Sequence, residues 1–308
     1  MRLSRIIAVF FVLWPTVTGL AADPGDQTAA QRFDGYVHLD TEGRPLPIQS
    51  DAEIEAFLAA AEVIKTSSVP TGITLPRQLT LKGDGFEAYA MFKNVDILRH
   101  KVTEIINGRN RFSLDWRDSY RYDIAAYEMD RLLGLDRVPP VVPRNIKGDS
   151  GAVSIWLTKT VNEFDRSHKL QVEPPDQGRW NQQRLLMQVF DNLVANRDSN
   201  LGNVLIDANW RLWFIDCSRC FGVTRSMYYP LKKITRCERG IWLGLKNLDE
   251  SEVRERLAPF LFPTELDALL VRHEKMVEYF QELIDKKGEA AVLYDVTPPA
   301  EKAPWGDD

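Results

Sequence analysis

Hydrophobic and polar positions along this chain change period several times, and each change predicts an element. Ser50-Asp-Ala-Glu53 has the spacing of a capping box, and Ile54, Phe57, Leu58 and Ala61 then recur at helical period. A helix is predicted near residues 51–65. Ser67 to Pro76 carries Pro70, Gly72 and Pro76 and reads as a loop. Gln78 to Leu81 and Phe86 to Phe92 read as two strands joined by a tight turn at Lys82-Gly-Asp-Gly85, with Lys93 at the end of the second. Tyr120 to Leu133 is amphipathic, with Ala125, Met129, Leu132 and Leu133 on one face. Gly134 stops this helix and Pro139-Pro140 prevents its resumption.

The second half is more helical. Trp180 to Val194 carries the stripe Leu185, Leu186, Val189, Phe190 and Leu193, and it feeds directly into a polar loop around Asp198. Val204 to Ile206 and Leu212 to Ile215 are expected to pair across Asp207-Ala-Asn209, which brings Asp216 out of a strand end close to Asn203. Thr264 is expected to cap a long helix whose stripe includes Leu266, Leu269, Leu270, Met276, Val277 and Phe280. The proline-rich, charged tail from Thr297 reads as disordered. This order, a hairpin with a lysine, a helix with acids, a helix, a polar loop and a second hairpin, fits an α+β chain. It would have a small β-rich lobe, a larger helical lobe and a cleft between them.

Composition narrows the classes. Net charge is −5 and the basic residues are dispersed, so no nucleic-acid partner is expected. Arg2 and Arg5, the apolar run Ile6 to Leu13 and the small residues Gly19-Leu20-Ala21-Ala22 make a secretory leader of residues 1–22. The stretch from Ile6 to Leu20 is interrupted by Pro15 and short against a span of ~20 residues, so no stable membrane span is expected. The expected location is secreted or periplasmic. Of three cysteines, Cys217 and Cys220 form a CxxC with no second pair and no neighbouring histidine, which disfavours zinc. Structural thiols, or one bridge from this pair to Cys237, are expected. His38, His100, His168 and His273 lie outside every motif, and there is no GxSxG or HExxH.

The chemistry concentrates in Asp198-Ser-Asn-Leu-Gly-Asn203, followed thirteen residues on by Asp216. Singly, each is an ordinary turn residue. Together, an acid, an amide oxygen five positions later and a second acid at a strand end are what phosphoryl transfer from a nucleotide needs. Asp198 would orient or deprotonate an acceptor hydroxyl, and Asn203 and Asp216 would hold a divalent metal. Lys93 would bridge the nucleotide phosphates, held by an acid of the following helix. Asp123 and Glu128 both qualify and lie on different faces. There is no GxGxxG. Gly83 and Gly85 lie in the distal turn of the hairpin, so Pro70-Thr-Gly-Ile-Thr74 is the better phosphate cradle, with Gly72 for close approach and hydroxyls from Thr71 and Thr74.

Three segments carry a resemblance. Asp123-Ile-Ala-Ala-Tyr-Glu-Met-Asp-Arg-Leu-Leu-Gly134 with Arg137-Val-Pro-Pro-Val-Val resembles the αC region of the secretory-pathway kinases, the family of the Golgi casein kinase and a proteoglycan xylose kinase. Asn196-Arg-Asp198 resembles their catalytic loop. Ile215-Asp-Cys-Ser-Arg-Cys-Phe-Gly222 resembles their metal motif, and weaker similarity continues through Pro230 to Cys237. HipA-type and phosphoinositide kinases share the Asp-x4-Asn spacing. The resemblance covers roughly Leu75 to Leu248. It implies an atypical protein-kinase-like two-lobed fold, with an N-lobe over 51–147 after an extension over 23–50, a C-lobe over 148–296 and a tail over 297–308. It also implies ATP with Mg²⁺ or Mn²⁺, and an acceptor hydroxyl on a protein, glycan or lipid. Lys93 takes the place of the phosphate-binding lysine, Asp123 of the αC acid, Asp198 of the catalytic base and Asp216 of the metal-binding aspartate. Two departures stand out. Asp123 is one methylene shorter than the family's Glu, and Ser199 and Asn200 replace the usual basic residues after the catalytic Asp. An inactive pseudokinase binding nucleotide or a partner is therefore the alternative, and AMP transfer a third.

Overall fold

The computed structural model describes residues 36–69, 76–106, 109–297, 299 and 301–306, with the backbone alone for 100–115. The expected leader lies outside this range. Helix α1 (Asp51–Ala60) begins as predicted: the Ser50 hydroxyl accepts the Glu53 N–H, and a Glu53 carboxylate oxygen accepts the Ser50 N–H at 3.1 Å. It ends earlier than the periodicity implies. Ala61 turns extended and the chain continues as strand β1 (Glu62–Ser68), where the β-branched Val63, Ile64 and Thr66 favour extension.

Strands β2 (Arg77–Gly83) and β3 (Phe86–Lys93) form the expected hairpin, turned by Asp84 and Gly85 at positive φ. A long two-stranded ribbon, β4 (Asp96–Ile106) and β5 (Arg109–Ser119), follows, then helix α2 (Tyr120–Leu133). Gly134 ends α2 in the left-handed conformation, as predicted. Strands β6 (Val141–Ile146) and β7 (Asp149–Ile155) complete a five-stranded antiparallel sheet in the order β1-β2-β3-β7-β6. The expected lobe boundary at 147/148 falls in the turn between β6 and β7, where Lys147 and Gly148 take positive φ, so the sheet runs past it to Ile155. Gly151 lets β7 close on β3: a Cβ there would lie 2.4 Å from the Lys93 carbonyl oxygen and 2.5 Å from the Phe92 ring.

Strand β3 alternates strictly. Phe86, Ala88, Ala90 and Phe92 enter a core with Ile54, Phe57 and Leu58 of α1, and Phe57 stacks on Phe86 at 4.7 Å. Lys93 therefore points to the opposite face. A larger core joins α2 to the remaining helices. These are α3 (Gln177–Val194), α4 (Arg239–Asn247), α5 (Glu250–Leu257), α6 (Pro263–Lys287) and the short α7 (Glu289–Val292). The expected hairpin is present as β9 (Val204–Ile206) and β10 (Leu212–Phe214), and β8 (Val161–Asn162) pairs with β9. Helix α6 is capped by Phe262 and not by Thr264, because Pro263 fits the first helical position with its ring already at helical φ. The Phe262 N–H is satisfied by Glu265 at 2.9 Å.

The tail differs from expectation. Ala303 is buried and donates its N–H to the Ala208 carbonyl at 2.7 Å. Trp305 packs on Trp210 at 5.0 Å and donates to the Ile206 carbonyl at 3.1 Å. An indole that finds both an apolar partner and an acceptor outweighs the polar composition around it.

Candidate active site

Three elements deliver charge to one point. Lys93 leaves the end of β3, Asp123 lies in the first turn of α2, and Asp216 follows β10. The Lys93 ammonium donates to Asp123 Oδ2 at 3.1 Å and Oδ1 at 3.3 Å, and to Asp216 Oδ1 at 2.8 Å. Asp123, and not Glu128, therefore meets the lysine. Glu128 is on another face, paired with Arg256 at 2.5 Å. The shorter acid reaches because the start of α2 is pulled onto the chain after β10. The Ser119 N–H donates to the Ser218 carbonyl at 2.9 Å, and the Cys217 N–H to Asp123 Oδ1 at 2.8 Å.

Burial and charge oppose each other here. Burial alone lowers the Lys93 pKa, but Asp123 and Asp216 together hold it above the usual lysine range. Burial raises Asp123 to about 6, against the pull of Lys93. Asp216, closest to the ammonium, is held below the usual carboxylate range by it. Asp216 takes φ 59°, outside the usual range for a non-glycine residue, as does Phe221 at 57°.

The Asp198 loop is built differently. Ala195 ends α3 in the left-handed conformation, and the chain then folds around Asp191. Asp191 accepts from Asn196 Nδ2 at 2.9 Å and from Ser199 Oγ at 2.7 Å, and its backbone carbonyl accepts the Asn196 N–H at 2.8 Å. Burial raises its carboxyl to about 6. Within the loop, the Asp198 N–H donates to Asn196 Oδ1 at 3.0 Å, Asn200 Nδ2 to Asp198 Oδ1 at 3.1 Å, and Asn203 Nδ2 to the Asp198 carbonyl at 3.0 Å. The Ile215 N–H donates to the Asn203 carbonyl at 3.1 Å, so Asn203 stands beside the residue preceding Asp216. Asp191 was missed from sequence. Its signal was an acid inside the buried run Val189 to Val194.

Cys217 and Cys220 are bridged to each other, and Cys237 is free and buried in β11 (Cys237–Glu238). The expected bridge to Cys237 is thus corrected. The turn in which Cys220 N–H bonds the Cys217 carbonyl at 2.9 Å brings their Cα atoms to 5.2 Å, within disulfide range. The proposed phosphate cradle, Thr71, Gly72 and Thr74, lies outside the described residues. Among those described, no three His, Cys, Asp or Glu side chains gather as a ready metal cage. A groove of about 780 Å³ between α4, α5 and α6 is lined by none of the site residues. Its His273 donates to the Leu245 carbonyl at 2.7 Å.

No protein-family model matches the sequence, and no curated protein matches it. Solved structures do. A hydra Fam20 determined with sugar superposes with a TM-score of 0.58 at 18% identity, covering 88% of this chain and 98% of that one. The chain has a Fam20-like atypical kinase fold. The Golgi casein kinase gives a TM-score of 0.54 at 16% identity, over 80% of this chain and 79% of its own. The same kinase with Mn/ADP bound gives 0.53 at 18%, over 80% and 78%. The Fam20-like fold places a sheet carrying Lys93 against a helical portion carrying Asp198 and Asp216.

Proposed function

We propose that this protein is an exported, metal-dependent kinase that moves the γ-phosphoryl group of ATP to a hydroxyl on a protein, glycan or lipid. The observation that carries the reading is the convergence of Lys93, Asp123 and Asp216, with Asn203 and the Asp198 loop alongside. Lys93 would hold nucleotide phosphates, kept in place by Asp123. Asp216 and the Asn203 amide oxygen are hard oxygen donors that fit Mg²⁺ or Mn²⁺, which commonly takes one or two protein ligands and completes its shell with phosphate and water. The bound metal would neutralise charge on the phosphates. Asp198 would take the proton of the acceptor hydroxyl as its oxygen bonds the γ-phosphorus and the bond to the β-phosphate oxygen breaks. The Mn/ADP complex of the Golgi casein kinase supports this nucleotide and metal class. Thr71, Gly72 and Thr74 are proposed to cover the phosphates.

Export is supported by the leader-like residues 1–22 and by the Cys217–Cys220 disulfide, a bond that persists in oxidising compartments. Among the described residues no helix is long and apolar enough to cross a membrane. The test is direct. Asp216→Asn should remove metal-dependent ATP binding, read by titration calorimetry, while the protein stays folded. A variant that binds ATP with metal as tightly as the parent sinks the metal assignment. A parent that transfers no γ-phosphate to protein, glycan or lipid pools with Mg²⁺ or Mn²⁺ sinks the kinase reading in favour of a binding module.

A further inference from the structure

One cation of the metal loop reaches the Asp198 loop. Arg219 lies between the two bridged cysteines. Its Nε is 3.3 Å from Asp118 Oδ2, its Nη1 is 3.5 Å from Asp198 Oδ2, and its Cζ lies 5.0 Å from the centre of the Trp116 ring. Asp118, at the end of β5, is 3% exposed, and among the described residues its Oδ1 has no hydrogen-bond partner. A carboxylate so far from water needs a cation beside it. The indole face holds the guanidinium from a third side. Behind it, the Cys217–Cys220 bridge closes the loop, and the Ser218 carbonyl is tied to the N–H of Ser119, next to Asp118. Arg219 is thus anchored on the sheet side and extends its other end to the aspartate of the opposite loop.

We propose that Arg219 is a positioning residue: it holds the Asp198 carboxylate by Oδ2, while Asn200 holds Oδ1, and so ties the orientation of the base to the loop that carries Asp216. This deepens the kinase reading and rests on Asp198 as its base. A pair on a half-exposed surface contributes little to stability, ~0–1 kcal/mol. The same contact at a reacting group has a different consequence, because a displacement of about 1 Å can cost ~10²-fold in rate. The guanidinium of arginine presents separate Nε and Nη donors in a fixed planar fork, whereas an ammonium offers a single nitrogen on a flexible stem.

The experiment uses the full chain and reads kcat, KM, metal-dependent ATP affinity and thermal stability for Arg219→Gln, Arg219→Lys, Asp118→Asn and the double variant Asp198→Ala/Arg219→Gln. Arg219→Gln should lower kcat about 10- to 100-fold with ATP affinity unchanged. Arg219→Lys, which keeps a cation beside Asp118 and so protects folding, should recover part of that loss. Asp118→Asn should lower kcat by less, in the same direction. In the Asp198→Ala background, Arg219→Gln should cost nothing further, since coupled residues are not additive. Parental kcat in Arg219→Gln or Arg219→Lys overturns the proposal while the kinase reading stands. So does a loss of ATP affinity at unchanged kcat, which makes Arg219 a phosphate ligand, or a full additional loss in the double variant. An inactive parent overturns the kinase reading and this inference with it.

Discussion

The Lys93 cluster and the Asp198 loop solve the problem of placing polar groups in a cleft in opposite ways. The Lys93 cluster draws its members from β3, α2 and the segment after β10, far apart in sequence, and holds them by charge. The Asp198 loop is mostly local. Asn196, Ser199, Asn200 and Asn203 hold it by hydrogen bonds around Asp191 and the Asp198 backbone, and an ion pair, to Arg219, comes from outside. The first arrangement reports whether the two portions of the chain are docked. The second is shaped largely by its own segment and needs only a small correction from its neighbour.

The sharpest way to separate the two is Asp198→Ala. It should leave metal-dependent ATP affinity intact, because Lys93, Asp123 and Asp216 are untouched, and reduce phosphoryl transfer ~10²- to 10⁴-fold, the usual contribution of a positioned base. Steady-state kinetics beside calorimetry checks it, and parental activity would remove Asp198 from the mechanism.

Asp191 tests whether the local loop is held by hydrogen bonds to a buried carboxyl. Its pKa is raised to about 6 in the folded protein, so the native state binds its proton at higher pH than the unfolded chain does. Its contribution to stability is therefore greatest below the unfolded value, near pH 4, and falls by about 3 kcal/mol as pH rises to about 6, at about 1.4 kcal/mol per decade. Urea midpoints should show that fall reduced in Asp191→Asn. An identical pH slope in variant and parent would contradict the burial argument.

Gly151→Ala addresses the other side, since the added methyl would meet the Lys93 carbonyl and the Phe92 ring. Overpacking there should destabilise by about 1–3 kcal/mol and weaken nucleotide binding by shifting Lys93, with little effect on the Asp198 loop. Unchanged melting temperature and affinity would show that β7 yields freely. The smallest effect is expected from Glu128→Ala. Its partly exposed pair with Arg256 should be worth ~0–1 kcal/mol, and ATP affinity should not change. A large loss of affinity would mean that α2 presents a different face in solution.

Legibility in the sequence followed the same divide. Local signals were readable: the limits of α2, its Gly134 stop, the β2–β3 turn and the β9–β10 hairpin all rest on neighbours in the chain. Strand β1 was not, because it is an edge strand whose burial does not alternate, and α1's apolar period runs into it. The residues alone left Asp123 and Glu128 equal, as the choice depends on how α2 sits against the segment after β10. The resemblance pointed to Asp123. The docking of Trp305 needed three-dimensional proximity that spacing does not encode, and the Cys217–Cys220 bridge depended on a turn that the CxxC spacing permits without requiring. Asp191 was hidden by its apolar neighbours, and Arg219 was visible as part of a motif but not as a bridge.

The contact between Lys93 and Asp216 has a consequence for the durability of the fold. The cleft carries its own tethered counter-ion, the Lys93 primary amine, 2.8 Å from an Asp216 oxygen. Many metal centres repel themselves apart when stripped, because their carboxylates are left facing one another. Here one Asp216 oxygen is paired from within the chain. On the proposed kinase reading, storage in a chelator is then expected to stop phosphoryl transfer without loosening the fold. Equal melting temperatures with and without EDTA would bear this out, and a drop on chelation would show that the amine is a poor substitute.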